Sequence, residues 1–184
     1  MFELLDMAKT FLEDALRPDA VLADFTMGNG HDTEYLCRRA PEGKVYAFDI
    51  QESAVENTRR RLAEAGLSNA ILIHDSHANC ASYITEPLDG GMFNLGYLPG
   101  SGNKQLHTMR ESTMKAVNDA IGLLKKGGIL VISVYPGHEE GRLEGEMLIE
   151  ALSALDKKWY CVTLLRLINS PDAPFILAVE KYDK

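Results

Sequence analysis

Long apolar runs are missing from the chain. No stretch approaches the roughly 20 apolar residues that a bilayer-spanning helix needs, so no membrane-spanning helix is expected. Cysteine is scarce: Cys37, Cys80 and Cys161 are odd in number and far apart, which argues against a disulfide framework and against a CxxC metal or redox site. Basic charge is in deficit, 19 Lys+Arg against 27 Asp+Glu giving a net charge of −8. Sequence-blind binding to long nucleic acid draws on counterion release from many phosphates, so this balance disfavours it and leaves room only for a local basic patch. Repeats, low-complexity segments and Pro/Gly/Ser-rich linkers are absent as well, so residues 1–184 read as one domain. The first segment lacks a basic n-region, and Glu3, Asp6, Lys9, Glu13 and Asp14 break any signal-like apolar stretch. The mature chain is therefore expected to start at Met1 and to reside in a reducing cytoplasm.

What is present is an ordinary globular composition, 46% apolar and 25% charged. Phe2, Leu5, Ala8, Phe11, Leu12, Ala15 and Leu16 recur at helical spacing before Pro18, which predicts an amphipathic helix packed on a sheet. Strands are predicted from Val21 to Phe25, Lys44 to Phe48, Ala70 to Ile73, Met92 to Gly96 and Ile129 to Tyr135. Helices alternate with them, near Asp32 to Arg39, Ser53 to Glu64, Leu106 to Leu124 (closed by Lys125-Lys126-Gly127-Gly128) and Glu140 to Leu155. Such alternation implies βαβ units and a parallel sheet. Tyr160 to Ile168 and Phe175 to Lys181 are joined by a segment too short for a crossover and should form an antiparallel hairpin. The expected fold is therefore α/β and Rossmann-like: a seven-stranded, mostly parallel sheet with an antiparallel C-terminal hairpin strand and helices on both faces. That is the class I architecture of S-adenosylmethionine (SAM) methyltransferases, whereas a plain dinucleotide-binding sheet lacks the hairpin.

Chemistry concentrates in Asp24-Phe25-Thr26-Met27-Gly28-Asn29-Gly30-His31-Asp32. Gly28 and Gly30 between a strand and a helix let the backbone turn sharply and approach a ligand. Asp49, nineteen residues beyond Gly30, stands where an acid can accept both ribose hydroxyls of an adenosine ligand. A dinucleotide fingerprint would want a small third residue where Thr33 stands, and Asp24 would repel a pyrophosphate yet suits the ammonium of SAM. Asp24 also reads as a capping acid of the turn. Further carboxyl-edge residues are Asp75 and Ser76, candidates for the adenine amino group, beside His77; His74 reads as structural. The His74-x-x-His77 spacing has no acidic or thiol partner at ligand spacing, so no metal is expected.

Asn94-Leu95-Gly96-Tyr97-Leu98-Pro99-Gly100 is similar to the Asn-Pro-Pro-Tyr type motif of amino-directed methyltransferases, with Leu95-Gly96 replacing the two prolines; a plain turn is the other reading. Tyr135-Pro136-Gly137-His138 should project Tyr135 and His138 over the same edge, His138 as a proton acceptor or substrate contact, with a helix-capping or surface histidine as the other reading. Arg59-Arg60-Arg61, Lys125-Lys126 and Lys157-Lys158 read as solvated faces or helix ends, and Lys104 and Arg110 as phosphate contacts.

Together the three motifs, Asp24-x-Thr26-x-Gly28-Asn29-Gly30-His31-Asp32, Asn94 to Gly100 and Tyr135 to Gly141, resemble the MnmM (YtqB) family, long labelled rRNA methylases, over essentially the whole chain. The resemblance implies a SAM-dependent tRNA methyltransferase that converts wobble 5-aminomethyl-2-thiouridine into its 5-methylaminomethyl form, with the anticodon loop as partner. It implies that the first motif (Asp24, Thr26, Gly28, Asn29, Gly30 and Asp32), Asp49 with Gln51, and Asp75, Ser76 and His77 hold SAM; Asn94 and Gly96 are further candidate cofactor contacts. Asn94 to Pro99, with Tyr97, Leu98 and Pro99, and Tyr135 to His138, with Pro136, Gly137 and His138, would line the nucleoside pocket. Lys104 is a substrate-binding candidate as a phosphate contact, and Asp32, His138, Asn94 and Tyr135 are the candidate catalytic residues. An amine of pKa ~10 needs a base or a dehydrating pocket, for which Asp32 and His138 are candidates. The remaining readings are an rRNA or small-amine methyltransferase, a nicotinamide-dependent reductase, and a SAM-binding regulator without turnover. A homodimer through the first helix and terminal hairpin is compatible with the pattern, as is core packing of both.

Overall fold

The computed structural model describes residues 4–96 and 110–182. Along them run α1 (Leu4–Leu12), β1 (Val21–Asp24), α2 (His31–Arg39), β2 (Lys44–Asp49), α3 (Glu52–Glu64), β3 (Ala70–His74), β4 (Leu88–Leu95), α4 (Arg110–Leu123), β5 (Leu124–Val134), α5 (Glu139–Ser153), β6 (Tyr160–Leu165) and β7 (Phe175–Lys181). The strands form one sheet in the order β3-β2-β1-β4-β5-β7-β6. β1 to β5 pair in parallel, while β7 lies antiparallel between β5 and β6. The expected class I methyltransferase architecture is thus present, hairpin included. Strand order reverses between β1 and β4, and in open α/β sheets ligands bind outside the carboxyl ends at such a reversal.

Alternation along each strand divides the core between two faces. On β5, Leu130, Ile132 and Val134 pack with Ala116, Val117, Ala120 and Ile121 of α4 and Leu148 and Leu152 of α5. Val131 of the same strand packs oppositely, with Ala8 and Leu12 of α1, Leu36 and Cys37 of α2 and Leu62 of α3. Burying a side chain such as Leu12 or Leu130 contributes roughly 1.5–3 kcal/mol, so both layers are needed. The apolar face of α1 is core packing, since Ala8 and Leu12 are buried against the sheet. Under the carboxyl edge, Phe25 stacks on Phe93 with centroids 4.3 Å apart and on Phe48 at 5.9 Å. The three rings make a stacked aromatic floor across β2, the end of β1 and β4.

Two expectations are corrected. β4 starts at Leu88 rather than Met92, because Asp89-Gly90-Gly91 is not a turn but buried strand. A Cβ on Gly91 would stand 2.8 Å from the Phe25 ring, so only glycine lets β4 lie under that floor. Lys125, read as a helix end, belongs to β5, and its ammonium pairs with the buried carboxylate of Asp89, which Arg17 also reaches. Asp89 Oδ2 further accepts the backbone N–H of Val21 at 2.9 Å. Burial, then the charge of Arg17, pushes the Lys125 ammonium pKa down. The three cysteines are free, and burial pushes the Cys37 and Cys80 thiols up to about 12 and about 11.

Candidate functional site

The glycine turn between β1 and α2 is held from three sides. Thr26 Oγ1 accepts the backbone N–H of Asn94 at 2.7 Å, tying the turn to the end of β4. The N–H of Gly28 donates to Asp49 Oδ2 at 3.0 Å, tying it to the end of β2. From α3, Thr58 Oγ1 donates to the Gly28 carbonyl at 3.1 Å, Arg61 Nε to the Asn29 carbonyl at 2.8 Å and Asn57 Nδ2 to Asn29 Oδ1 at 3.1 Å. Gly28 and Gly30 both have positive φ, 49° and 78°, which L side chains rarely adopt. At Gly30 a Cβ would also meet Thr58 Oγ1 at 2.8 Å, so the residue that opens the turn also lets α3 close against it.

Each acid of the turn has its own environment. Asp24 is fully buried, with Oδ2 accepting the Thr33 hydroxyl at 2.6 Å and Oδ1 the Thr26 N–H at 3.1 Å. Burial, and then the charge of Asp32, pushes it up to about 7. Its oxygens face into the turn, the geometry of a capping acid. Asp49 is half-buried and raised by burial, although N–H donors from Gln51 (2.9 Å) and Gly28 oppose the shift. A carboxylate has about four acceptor positions, so two such bonds leave lone pairs for vicinal hydroxyls.

Asp32 lies on the first turn of α2, where its Oδ2 accepts Nδ2 of Asn94 from the end of β4. Its Oδ1 is 3.2 Å from the ammonium of Lys9 on α1. Burial, and then the charge of Asp32, raises the Tyr135 phenol, and its ring faces Gly96 at the end of β4, where an added Cβ would stand 3.8 Å from it. Asp32 and Asn94 are therefore brought together, and Tyr135 follows the end of β5, the strand that pairs with β4. His138 is exposed and is the N-cap of α5, its Nδ1 accepting the N–H of Gly141 at 3.0 Å. A neutral imidazole has one ring-nitrogen lone pair, and the cap occupies it. Pro136 is half-buried and Gly137 exposed on the same connection.

After β3, Asp75 accepts the Tyr83 hydroxyl at 2.8 Å and the Asn79 amide at 3.1 Å, contacts that hold its carboxyl below the usual range. Ser76 Oγ caps the following turn by accepting the N–H of Ala78. His77 is buried edge-on to Phe93, with Nδ1 3.1 Å from the Phe25 carbonyl. Desolvation pushes it down, so it is neutral and Nδ1 carries the proton donated to Phe25. Its Nε2 is a buried acceptor without a partner among the described residues. His74 contacts the Ile50 carbonyl at 3.1 Å, a structural role.

Tyr97, Leu98, Pro99 and Lys104 lie outside the described residues. Arg110 is 3.4 Å from Glu140. Arg61, read as part of a solvated run, instead grips the Asn29 carbonyl and pairs with Glu34 at 3.0 Å. Lys9, Thr58 and Arg61 were missed. Only Thr58 left a trace in the sequence, a hydroxyl on the apolar stripe Ala54, Val55, Thr58 and Leu62 of α3.

These residues fit an adenosyl amino acid: a glycine turn too tight for a Cβ at Gly30, Asp49 at the end of the neighbouring strand, and polar groups at the carboxyl end of β3. Comparison with known proteins agrees. Residues 45–181 match the family described as Putative rRNA methylase. The chloroplastic tRNA (mnm(5)s(2)U34)-methyltransferase of Arabidopsis thaliana is 33% identical over 189 residues, covering 96% of this chain and 68% of that protein. A Clostridium thermocellum structure of the same rRNA-methylase description is 34% identical with a TM-score of 0.94, 98% of each chain being covered. A Streptococcus mutans protein described as a methyltransferase, solved in complex with SAH, is 35% identical with a TM-score of 0.90, covering 98% of this chain and 99% of that one. Ribosomal RNA small subunit methyltransferase H of Desulfotalea psychrophila matches in part, over 50% of this chain and 32% of that protein. The nicotinamide reading is thereby set aside. The chain belongs to the Putative rRNA methylase family and is a SAM-dependent RNA methyltransferase of the class I fold.

Proposed function

We propose that this methyltransferase acts on tRNA, methylating the primary amine of 5-aminomethyl-2-thiouridine at the wobble position to give the 5-methylaminomethyl form. The observation that carries the reading is the placement of Asn94 at the end of β4, its backbone N–H joined to Thr26 of the glycine turn and its side-chain amide to Asp32. An amide there adjoins the methyl donor's place and can receive the N–H of an attacking amine. The 33% identity to the chloroplast enzyme over 96% of the chain supports the same substrate. The partial match to the small-subunit enzyme gives weaker support to an rRNA substrate.

SAM, when bound, supplies an electrophilic sulfonium methyl. Asp49 would hold the ribose, Asp75 and Ser76 the adenine, and the Gly28 to Asp32 turn the amino-acid end. Asn94 would orient the amine so that its lone pair points along the methyl–sulfur bond. The amine nitrogen gains the methyl, the carbon–sulfur bond pair stays on sulfur, and the nitrogen loses one proton to solvent. Holding these atoms in line is the protein's main contribution, because alignment of reactants lowers the entropic part of the barrier. Desolvation favours the free amine before attack, and His138, whose lone pair caps α5, is not its base. An anticodon loop offers unstacked bases, which an acidic protein can engage through a small contact area.

The test is incubation with methyl-labelled SAM and tRNA carrying 5-aminomethyl-2-thiouridine, followed by nucleoside mass spectrometry. Label is expected in 5-methylaminomethyl-2-thiouridine. Label in rRNA but not in this tRNA would overturn the assignment.

A further inference from the structure

Lys9 stands outside every sequence motif, on α1, yet its ammonium reaches the glycine turn. Nζ lies 3.2 Å from Asp32 Oδ1 and 4.8 Å from the centroid of the Tyr35 ring, so the aromatic face and the carboxylate hold one cation between them. The Lys9 side chain is 32% exposed and that of Asp32 21%, so the pair is partly withdrawn from water. With Oδ1 engaged by Lys9, Oδ2 is the oxygen turned toward β4, and there it accepts Nδ2 of Asn94.

This arrangement removes an ambiguity from Asn94. A carboxamide can present either its NH2 or its carbonyl to a neighbour, and the two ends differ by a simple flip. An ionised carboxylate only accepts, so Asp32 takes the NH2 end and directs the carbonyl oxygen elsewhere. The backbone of Asn94 is fixed independently by Thr26. We propose that Lys9 is a positioning residue: by holding the Asp32 carboxylate, it locks the Asn94 amide with its carbonyl oxygen toward the methyl acceptor. The site then selects a nucleophile that carries an N–H and rejects one that offers only lone pairs. The proposal rests on the reading that Asn94 faces the amine, and it adds a residue of α1 to that site.

A surface ion pair contributes only about 0–1 kcal/mol to stability, so a purely structural Lys9 would be nearly silent in activity. The experiment compares wild type, Lys9→Met, Lys9→Arg, Asn94→Ala and the Lys9→Met/Asn94→Ala double variant. Rates are measured with tRNA carrying 5-aminomethyl-2-thiouridine. In Lys9→Met, kcat is expected to fall about tenfold with KM for tRNA unchanged, as for loss of an interaction realised in the transition state. Lys9→Arg should restore most of the rate. In the Asn94→Ala background, Lys9→Met should cost almost nothing further, because the two residues act through one amide.

A second readout needs no RNA. In the SAH complex, the side-chain amide NMR signal of Asn94, assigned by its loss in Asn94→Ala, should shift or broaden in Lys9→Met and return in Lys9→Arg. An unmoved amide signal overturns the proposal, whatever the substrate proves to be. So does an equal loss of kcat from Lys9→Met in both backgrounds. A wild type that transfers no methyl to this tRNA, with the amide signal behaving as expected, overturns the substrate reading and leaves the Lys9 lock standing.

Discussion

The backbone N–H of Gly28 and the carboxylate of Asp49 meet at 3.0 Å, so the glycine turn and the end of β2 are one hydrogen-bonded unit. Asp49→Ala removes the proposed ribose acceptor and also frees the turn. SAH should bind roughly ten- to a hundredfold more weakly by titration calorimetry, consistent with losing hydrogen bonds to a charged acceptor. An affinity equal to wild type would show that the ribose is held elsewhere.

Asp24 makes stability depend on pH. Its carboxyl is pushed up to about 7 in the folded chain from an ordinary value of 3.8, so the folded state holds this proton over a range where the unfolded chain has released it. The favourable contribution is complete below the unfolded value and is lost as pH rises through about 4 to about 7, by at most about 4 kcal/mol. Asp24→Asn cannot ionise and should flatten this slope, at the cost of one acceptor for Thr26 or Thr33. Urea unfolding of both proteins at about pH 5 and about pH 8 reads the difference. Parallel pH profiles would mean that Asp24 is ionised in the fold.

His138 can be separated into cap and base by one substitution. Asn is among the best N-cap residues, so His138→Asn keeps an acceptor for the Gly141 N–H while removing the imidazole. It should keep wild-type stability and lose at most a fewfold in kcat, whereas His138→Ala should lose about 1 kcal/mol of stability. A fall in kcat of about a hundredfold in the stable Asn variant would reinstate the histidine as proton acceptor, the scale being that of general-base catalysis.

The elements legible from the sequence are those whose partners are local. Gly28 and Gly30 follow a strand and precede a helix, and backbone sterics alone say what two glycines do there. Asp49 is legible because the βαβ unit brings the next strand's end beside the turn. The hairpin of β6 and β7 follows from a connection too short to cross over, although β6 stops at Leu165 rather than Ile168. The beginning of β4 was hidden because Asp89-Gly90-Gly91 has turn chemistry, and only the packing of Phe25 and Leu130 over Gly91 explains glycine in a buried strand.

The rest of the site needed strand order. Periodicity reports which residues face a core, but it carries no information about which strand lies beside β1. β4 takes that place, and so Asn94 meets Asp32 across a separation of 62 residues. α3 packs beside α2, which sends Thr58 to Gly28 and Arg61 to Asn29 across 30 and 32 residues. α1 lies on the α2 and α3 face of the sheet, and that brings Lys9 to Asp32. Backbone preference and burial act over a few residues and leave their mark on spacing. Hydrogen bonds and ion pairs act between whatever atoms the packed sheet brings within about 3 Å, so their partners exist only in the folded chain.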